Sequence, residues 1–198
     1  MRKLLVLLLL VVPALTASAW RILYVEQYYA LYHEQLHHYP DDTLENVHYL
    51  ELALDSAFAN PLYALAPIHD KTEWERYKDL FSMHLNVMLV YSWLQIGAKY
   101  DKQVANFFNA PWKEQNLESL KTAEAAYNAA YGYWAKAQEW SAKAWALHSI
   151  RLEKIDDWQD ENWRIQTGDL NYKDTIDRQL ARLAKVRADF QAMNASTY

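Results

Sequence analysis

Between Ala123 and Leu147 the chain alternates alanine with large aromatic side chains. The aromatics include Tyr127, Tyr131, Trp134, Trp140 and Trp145, and alanines recur between them wherever two helices would touch. Small side chains let antiparallel helices approach closely, while rings fill the space toward the next layer. Gly132 predicts a break, giving one helix over about 114–131 and a second over about 133–152. A pair of this kind covers its apolar faces only against neighbours, so further helices should flank it.

Composition supports an all-helical chain with a sizeable core. Hydrophobic residues make up 52% of the sequence and aromatics 15%, whereas 3 Gly and 5 Pro are too few for a turn-rich β protein. The first 19 residues are read separately. Arg2 and Lys3 precede an apolar run from Leu4 to Val12, and Ala17-Ser18-Ala19 ends in an A-x-A pattern. This is the plan of a secretory signal peptide cut before Trp20, and the run is short for a membrane span of about 20 residues. No Cys is present, so an exported chain of this kind relies on its core rather than on disulfides, as a periplasmic protein can. Removing Arg2 and Lys3 leaves 18 basic against 25 acidic side chains, a net −7. That balance speaks against nucleic acid or an anionic membrane surface as partner. Residues 20–198 are expected to form a single all-helical domain.

Taken in order, Trp20 to Leu36 reads as a helix with a broad apolar face, ended near Pro40. Asp42 and Glu45 form a capping box for a helix that stops at Asn60-Pro61. Leu62 to Ile68 is a short helix or an irregular crossing. Thr72 and Glu75 predict a second capping box, opening the longest helix, over about 73–96 and terminated by Gly97. A short helix is expected over about 102–109. After the alanine-rich pair, Asp156 to Gly168 is read as an extension and then a loop. Asn171 caps a final helix whose stripe of Ile176, Leu180, Leu183, Val186, Phe190 and Met193 marks it as a C-terminal capping helix.

Gly132, Trp134, Ala137 and Ala144, with Ala125 twelve residues before Ala137, have the spacing of one tetratricopeptide (TPR) unit. The breaks at Asn60-Pro61, Gly97 and Gly132 lie 37 and 35 residues apart, close to the TPR period of about 34 residues. The chain therefore resembles TPR proteins: all-α, stacked antiparallel helix pairs in degenerate repeats. Ala125, Gly132, Trp134, Ala137 and Ala144 are its expected packing residues. The groove of such a repeat would expose Glu124, Asn128 and Tyr131, and Trp158 and Trp163 would add an aromatic binding surface.

One motif points to catalysis. His33-Glu34-Gln35-Leu36-His37 is H-E-x-x-H, which on a helix sets two imidazoles on one face for Zn²⁺, with Glu34 as base. A third ligand would have to be Asp41, Asp42, His48 or Glu51, none at a recognisable spacing, and too few residues precede His33 for a substrate-binding sheet edge. The acidic run Asp156, Asp157, Asp160 and Glu161 lacks the spacing and glycine of a Ca²⁺ loop and reads as solvated. No metal, catalytic residue or cofactor is therefore assigned. A small zinc hydrolase on His33, Glu34 and His37 is the alternative, as is an aromatic groove for peptide or glycan.

Further segments carry a second resemblance: Leu50-Glu51-Leu52-Ala53-Leu54, Asn60-Pro61-Leu62-Tyr63-Ala64-Leu65, Met83-His84-Leu85-Asn86, Tyr91-Ser92-Trp93-Leu94 and Phe107-Phe108-Asn109-Ala110-Pro111-Trp112. With them the chain resembles small exported TPR-like proteins of spirochaetes, some of which are implicated in assembling the collar of the periplasmic flagellar motor. The resemblance implies a non-enzymatic periplasmic scaffold that binds another protein and can self-associate.

Overall fold

The computed structural model describes residues 21–102, 109–194 and 196. The expected signal peptide, with its cleavage site before Trp20, and most of the short helix expected over 102–109 lie outside these residues. Among the described residues the fold is all-α and helical-repeat-like, with six α-helices packed on one another. They are α1 (Val25–His38), α2 (Thr43–Asp55), α3 (Lys71–Tyr100), α4 (Lys113–Trp145), α5 (Asp156–Thr167) and α6 (Tyr172–Ala192).

Local chemistry accounts for most boundaries. Asp42, Asp70 and Asn171 each accept a hydrogen bond from a backbone N–H of the first turn of α2, α3 and α6, satisfying donors that have no partner inside the helix. For α3 the cap is Asp70, bonded to the Glu73 N–H at 2.8 Å, rather than the expected Thr72. At the end of α5, Gly168 adopts φ 85°. This left-handed turn, which glycine enters without steric cost, brings the Leu170 N–H to the Arg164 carbonyl at 2.9 Å. Residues 156–167 are thus a separate helix, not an extension and loop.

The core is organised around α3. Fourteen of its residues are buried, from Arg76 to Gly97, because α1 and α2 cover one side while α4 and α5 cover the other. Its longest partner is α4, which runs antiparallel to it: Arg76 meets Ala144 at one end and the Tyr100 carbonyl meets Ser119 at the other. The buried positions of α4 include Asn116, Leu120, Ala123, Tyr127, Ala130, Trp134, Ala137, Ser141 and Ala144. They alternate by four and three residues, the knobs-into-holes rhythm of a coiled-coil seam. Ala123, Ala130, Ala137 and Ala144 fall one heptad apart and are fully buried.

The two expected glycine breaks are absent. α4 passes through Gly132 as one 33-residue helix, and it, not α3, is the longest. Gly132 faces solvent with nothing within 4 Å of a Cβ placed there, and Ala125 is exposed as well. Neither packs a helix contact; Trp134, Ala137 and Ala144 do. α3 also continues past Gly97, to Tyr100. Gly97 serves close approach instead: a Cβ there would lie 2.3–2.8 Å from the Tyr127 ring of α4.

α5 and α6 follow one another along α4, antiparallel to it. Asn162 donates to Ser141, Tyr172 packs its ring on Trp134, and Arg187 pairs with Glu124. Arg182 forms an ion pair with buried Asp101, whose carboxylate also accepts the Tyr127 hydroxyl at 2.7 Å. Ile176, Leu183, Phe190 and Met193 are buried, as their spacing predicts for a capping helix.

Two glycine substitutions separate packing from propensity. Gly97→Ala should cost about 1–3 kcal/mol or more by overpacking against Tyr127. Gly132→Ala, in the open middle of a continuous helix, should gain about 0.5–1 kcal/mol. Chemical denaturation of both variants reads the signs; a loss at Gly132 would contradict an unbroken α4.

Candidate functional site

α1 places His33 and His37 one turn apart, both exposed. The His33 ring packs edge-on to Tyr29 at 4.4 Å and near Tyr32 at 5.1 Å, and His37 leans on His38. Partial burial, followed by the neighbouring His84, holds the His33 pKa below its ordinary value. Of the possible third ligands, Asp42 caps α2 and Glu51 accepts the Tyr133 hydroxyl at 2.7 Å. Among the described residues no group of three or more His, Cys, Asp or Glu could hold a metal ion.

Next to His33 lies a hydrogen-bonded chain across three helices. The Glu161 carboxylate of α5 meets His84 Nδ1 of α3 at 2.7 Å, and His84 Nε2 meets the Tyr29 hydroxyl of α1 at 3.2 Å. A proton on Nδ1 satisfies Glu161 and leaves Nε2 to accept from Tyr29. Trp158 stacks on Phe81 at 4.6 Å and on His84 at 5.0 Å. Burial, the largest cause, pushes the Tyr29 pKa up to about 12. A phenol so held stays protonated and is no nucleophile near neutral pH. The chain is a clamp between α1, α3 and α5. Trp158 belongs to this clamp and is only 5% exposed, which corrects its expected place on a binding surface. The acidic run that contains it forms the opening turns of α5, where carboxylates favour the helix dipole.

The expected groove residues stand along α4. Glu124 is tied to Arg187 at 2.6 Å, Asn128 is exposed, and the Tyr131 ring carries the Lys173 ammonium at 5.9 Å. α6 thus lies against this side of α4 and takes up Glu124. Trp163 does face solvent, at the edge of a cleft between α3, α4 and α5.

The most exposed apolar group in the described structure was not among the expected site residues. Leu62 and Tyr63, on a 3₁₀ turn over Pro61–Tyr63, are 91% and 71% exposed, and Leu65 follows on the same loop. The loop is held firmly. Asn60 Oδ1 accepts from the Leu62 N–H at 2.9 Å. The Leu65 N–H donates to the Tyr77 hydroxyl at 3.2 Å. That hydroxyl donates to Glu26, a buried carboxylate that also accepts the Ala59 N–H at 3.0 Å. The Val25 N–H reaches the Ala57 carbonyl at 3.0 Å, and Phe58 packs its ring against Trp74, Tyr77 and Phe81. Burial raises the Tyr77 pKa well above that of a free phenol, so this donor persists. A sequence signal was present: three large apolar residues between Pro61 and Pro67, in a stretch without helical period.

A family described as Domain of unknown function (DUF8513) matches residues 72–193. The chain belongs to this family. The DUF8513 segment begins in the first turn of α3 and ends just past α6, so it contains the α3–α4 pair with α5 and α6. The α1–α2 hairpin and the exposed loop precede it. No curated protein and no solved structure matches the chain.

Burial raises the pKa of Tyr29, Tyr32, Tyr77, Tyr127, Tyr133 and Tyr172. Because the folded pKa values exceed those of the unfolded chain, their contribution to stability is complete below pH about 10 and is lost as pH rises above it. An absorbance titration at 295 nm, run beside circular dichroism, should show these phenols ionising only as helix is lost. Ionisation of all 15 tyrosines near pH 10 in a folded chain would contradict the burial described.

Proposed function

We propose that the chain is a non-enzymatic periplasmic scaffold, exported by residues 1–19, that docks another protein through the loop carrying Leu62, Tyr63 and Leu65. The observation that carries this reading is that Leu62 and Tyr63 stand largely exposed on a loop whose backbone is pinned by hydrogen bonds to buried side chains. Exposed apolar groups on a rigid support lose little conformational entropy on binding, and aromatic and aliphatic anchors of this kind dominate protein interfaces. The surrounding helices supply the stiffness expected of an adaptor. The likeness to small exported TPR-like proteins of spirochaetes supports the periplasmic setting and extends the proposal to the collar of the flagellar motor.

Crosslinking in the native cell, followed by capture of the full chain and mass spectrometry, tests this. The wild type should bring down a stoichiometric partner, and the double variant Leu62→Asp, Tyr63→Ser should lose it. Both sites are solvent-facing, so stability should change by only about 0.5 kcal/mol. Equal recovery of the partner by the variant would contradict the assignment of the loop.

A further inference from the structure

Arg76 is the most unusual charged residue in the core. It is only 3% exposed, yet among the described residues it forms no ion pair. Among the described residues the Nη1 hydrogen bond to the Ala144 carbonyl, 3.2 Å, is its sole hydrogen bond, and its Nε is buried with no partner there. Burial alone lowers its pKa, with no carboxylate acting on it. A guanidinium carries five N–H donors and stays charged in proteins, and burying such a group without an anion is costly. The carbonyl at the C-terminal end of α4 offsets part of that cost. Among the described residues the buried Nε donor is left unclaimed.

Arg76 also lines the cleft between α3, α4 and α5, a cavity of about 460 Å³, within the range of small-ligand sites. Its walls include Trp145 and Trp163. The Trp145 ring is backed by His148, stacked at 4.7 Å, and Trp163 is 49% exposed. Asn162, buried behind them, donates to Ser141 and fixes α5 against α4. At the rim Arg151 and Asp156 satisfy each other at 2.7 Å, and Asp160 also lines the cleft.

We infer that this cleft binds a carboxylate carried on an aromatic or apolar body, with the carboxylate on Arg76 and the body beside Trp145 and Trp163. A planar carboxylate matches the guanidinium fork. Its single charge balances Arg76, whereas a doubly charged phosphate would also face Asp156 and Asp160. The residues that line the cleft are not those of the loop assigned to partner docking, and the inference does not depend on that assignment. The carboxylate could come from a free small molecule or from the C-terminus of a peptide.

Tryptophan fluorescence and calorimetric titration of the full chain distinguish these sources. The probes are N-acetyl-phenylalanine and its carboxamide, a phenylalanine-terminated pentapeptide with free or amidated C-terminus, and inorganic phosphate. At least one carboxylate probe should bind tenfold or more tightly than its amide, and the tighter of the two names the source. Arg76→Met should abolish that preference. Because Arg76 also holds the Ala144 carbonyl, Trp163→Ala serves as an independent variant: it should weaken binding several-fold with helix content unchanged. Equal binding of acid and amide, no binding of either carboxylate at millimolar concentration, or displacement by equimolar phosphate would each overturn the inference.

Discussion

The structure depends on the burial of α3 against α4. A helix covered on nearly all sides has no polar face to spare, and its neighbours must come close. The heptad of fully buried alanines on α4 allows that approach along most of its length. At the far end Gly97 makes room for the Tyr127 ring, whose hydroxyl then meets Asp101 and, through it, Arg182 of α6. One close contact thus fixes the end of α3, the middle of α4 and the position of the terminal helix.

Everything with functional interest is mounted on that pair. Tyr77 of α3 reaches through Glu26 to the exposed loop on one side. Arg76, its neighbour in sequence, points its chemistry to the cleft beside α5 on the other. The Glu161–His84–Tyr29 chain ties α1 and α5 to the same helix. A residue such as Trp158, which from its polar surroundings in sequence reads as a surface anchor, is drawn inward by Phe81 and His84. The exposed loop and the cleft are therefore each carried by polar groups that the core has already oriented.

Much of this was legible in the sequence. The all-helical class, the caps at Asp42 and Asn171, and the apolar stripe of α6 follow from local chemistry and spacing. The errors share a cause. Gly97 and Gly132 have the composition of helix breakers, but the penalty of a helical glycine is only about 1 kcal/mol, and packing along a long helix exceeds it. The alternative signal was printed in the chain as Ala123, Ala130, Ala137 and Ala144, seven residues apart, a coiled-coil rhythm rather than a repeat boundary. The ring clamp and the unpaired Arg76 were not legible because their partners lie 55 to 77 residues away in sequence. The H-E-x-x-H motif was legible, but its spacing alone supplies two imidazoles and no third ligand.

The central claim is that an unbroken α4 and a pinned loop form one stiff platform. Residue-resolved amide hydrogen exchange of the native chain tests it most directly. The account predicts slow exchange running without interruption through Tyr131, Gly132 and Tyr133, together with protected Ala59 and Leu65 amides in an otherwise exposed loop. Rapid exchange centred on Gly132, or unprotected amides at Ala59 and Leu65, would contradict it.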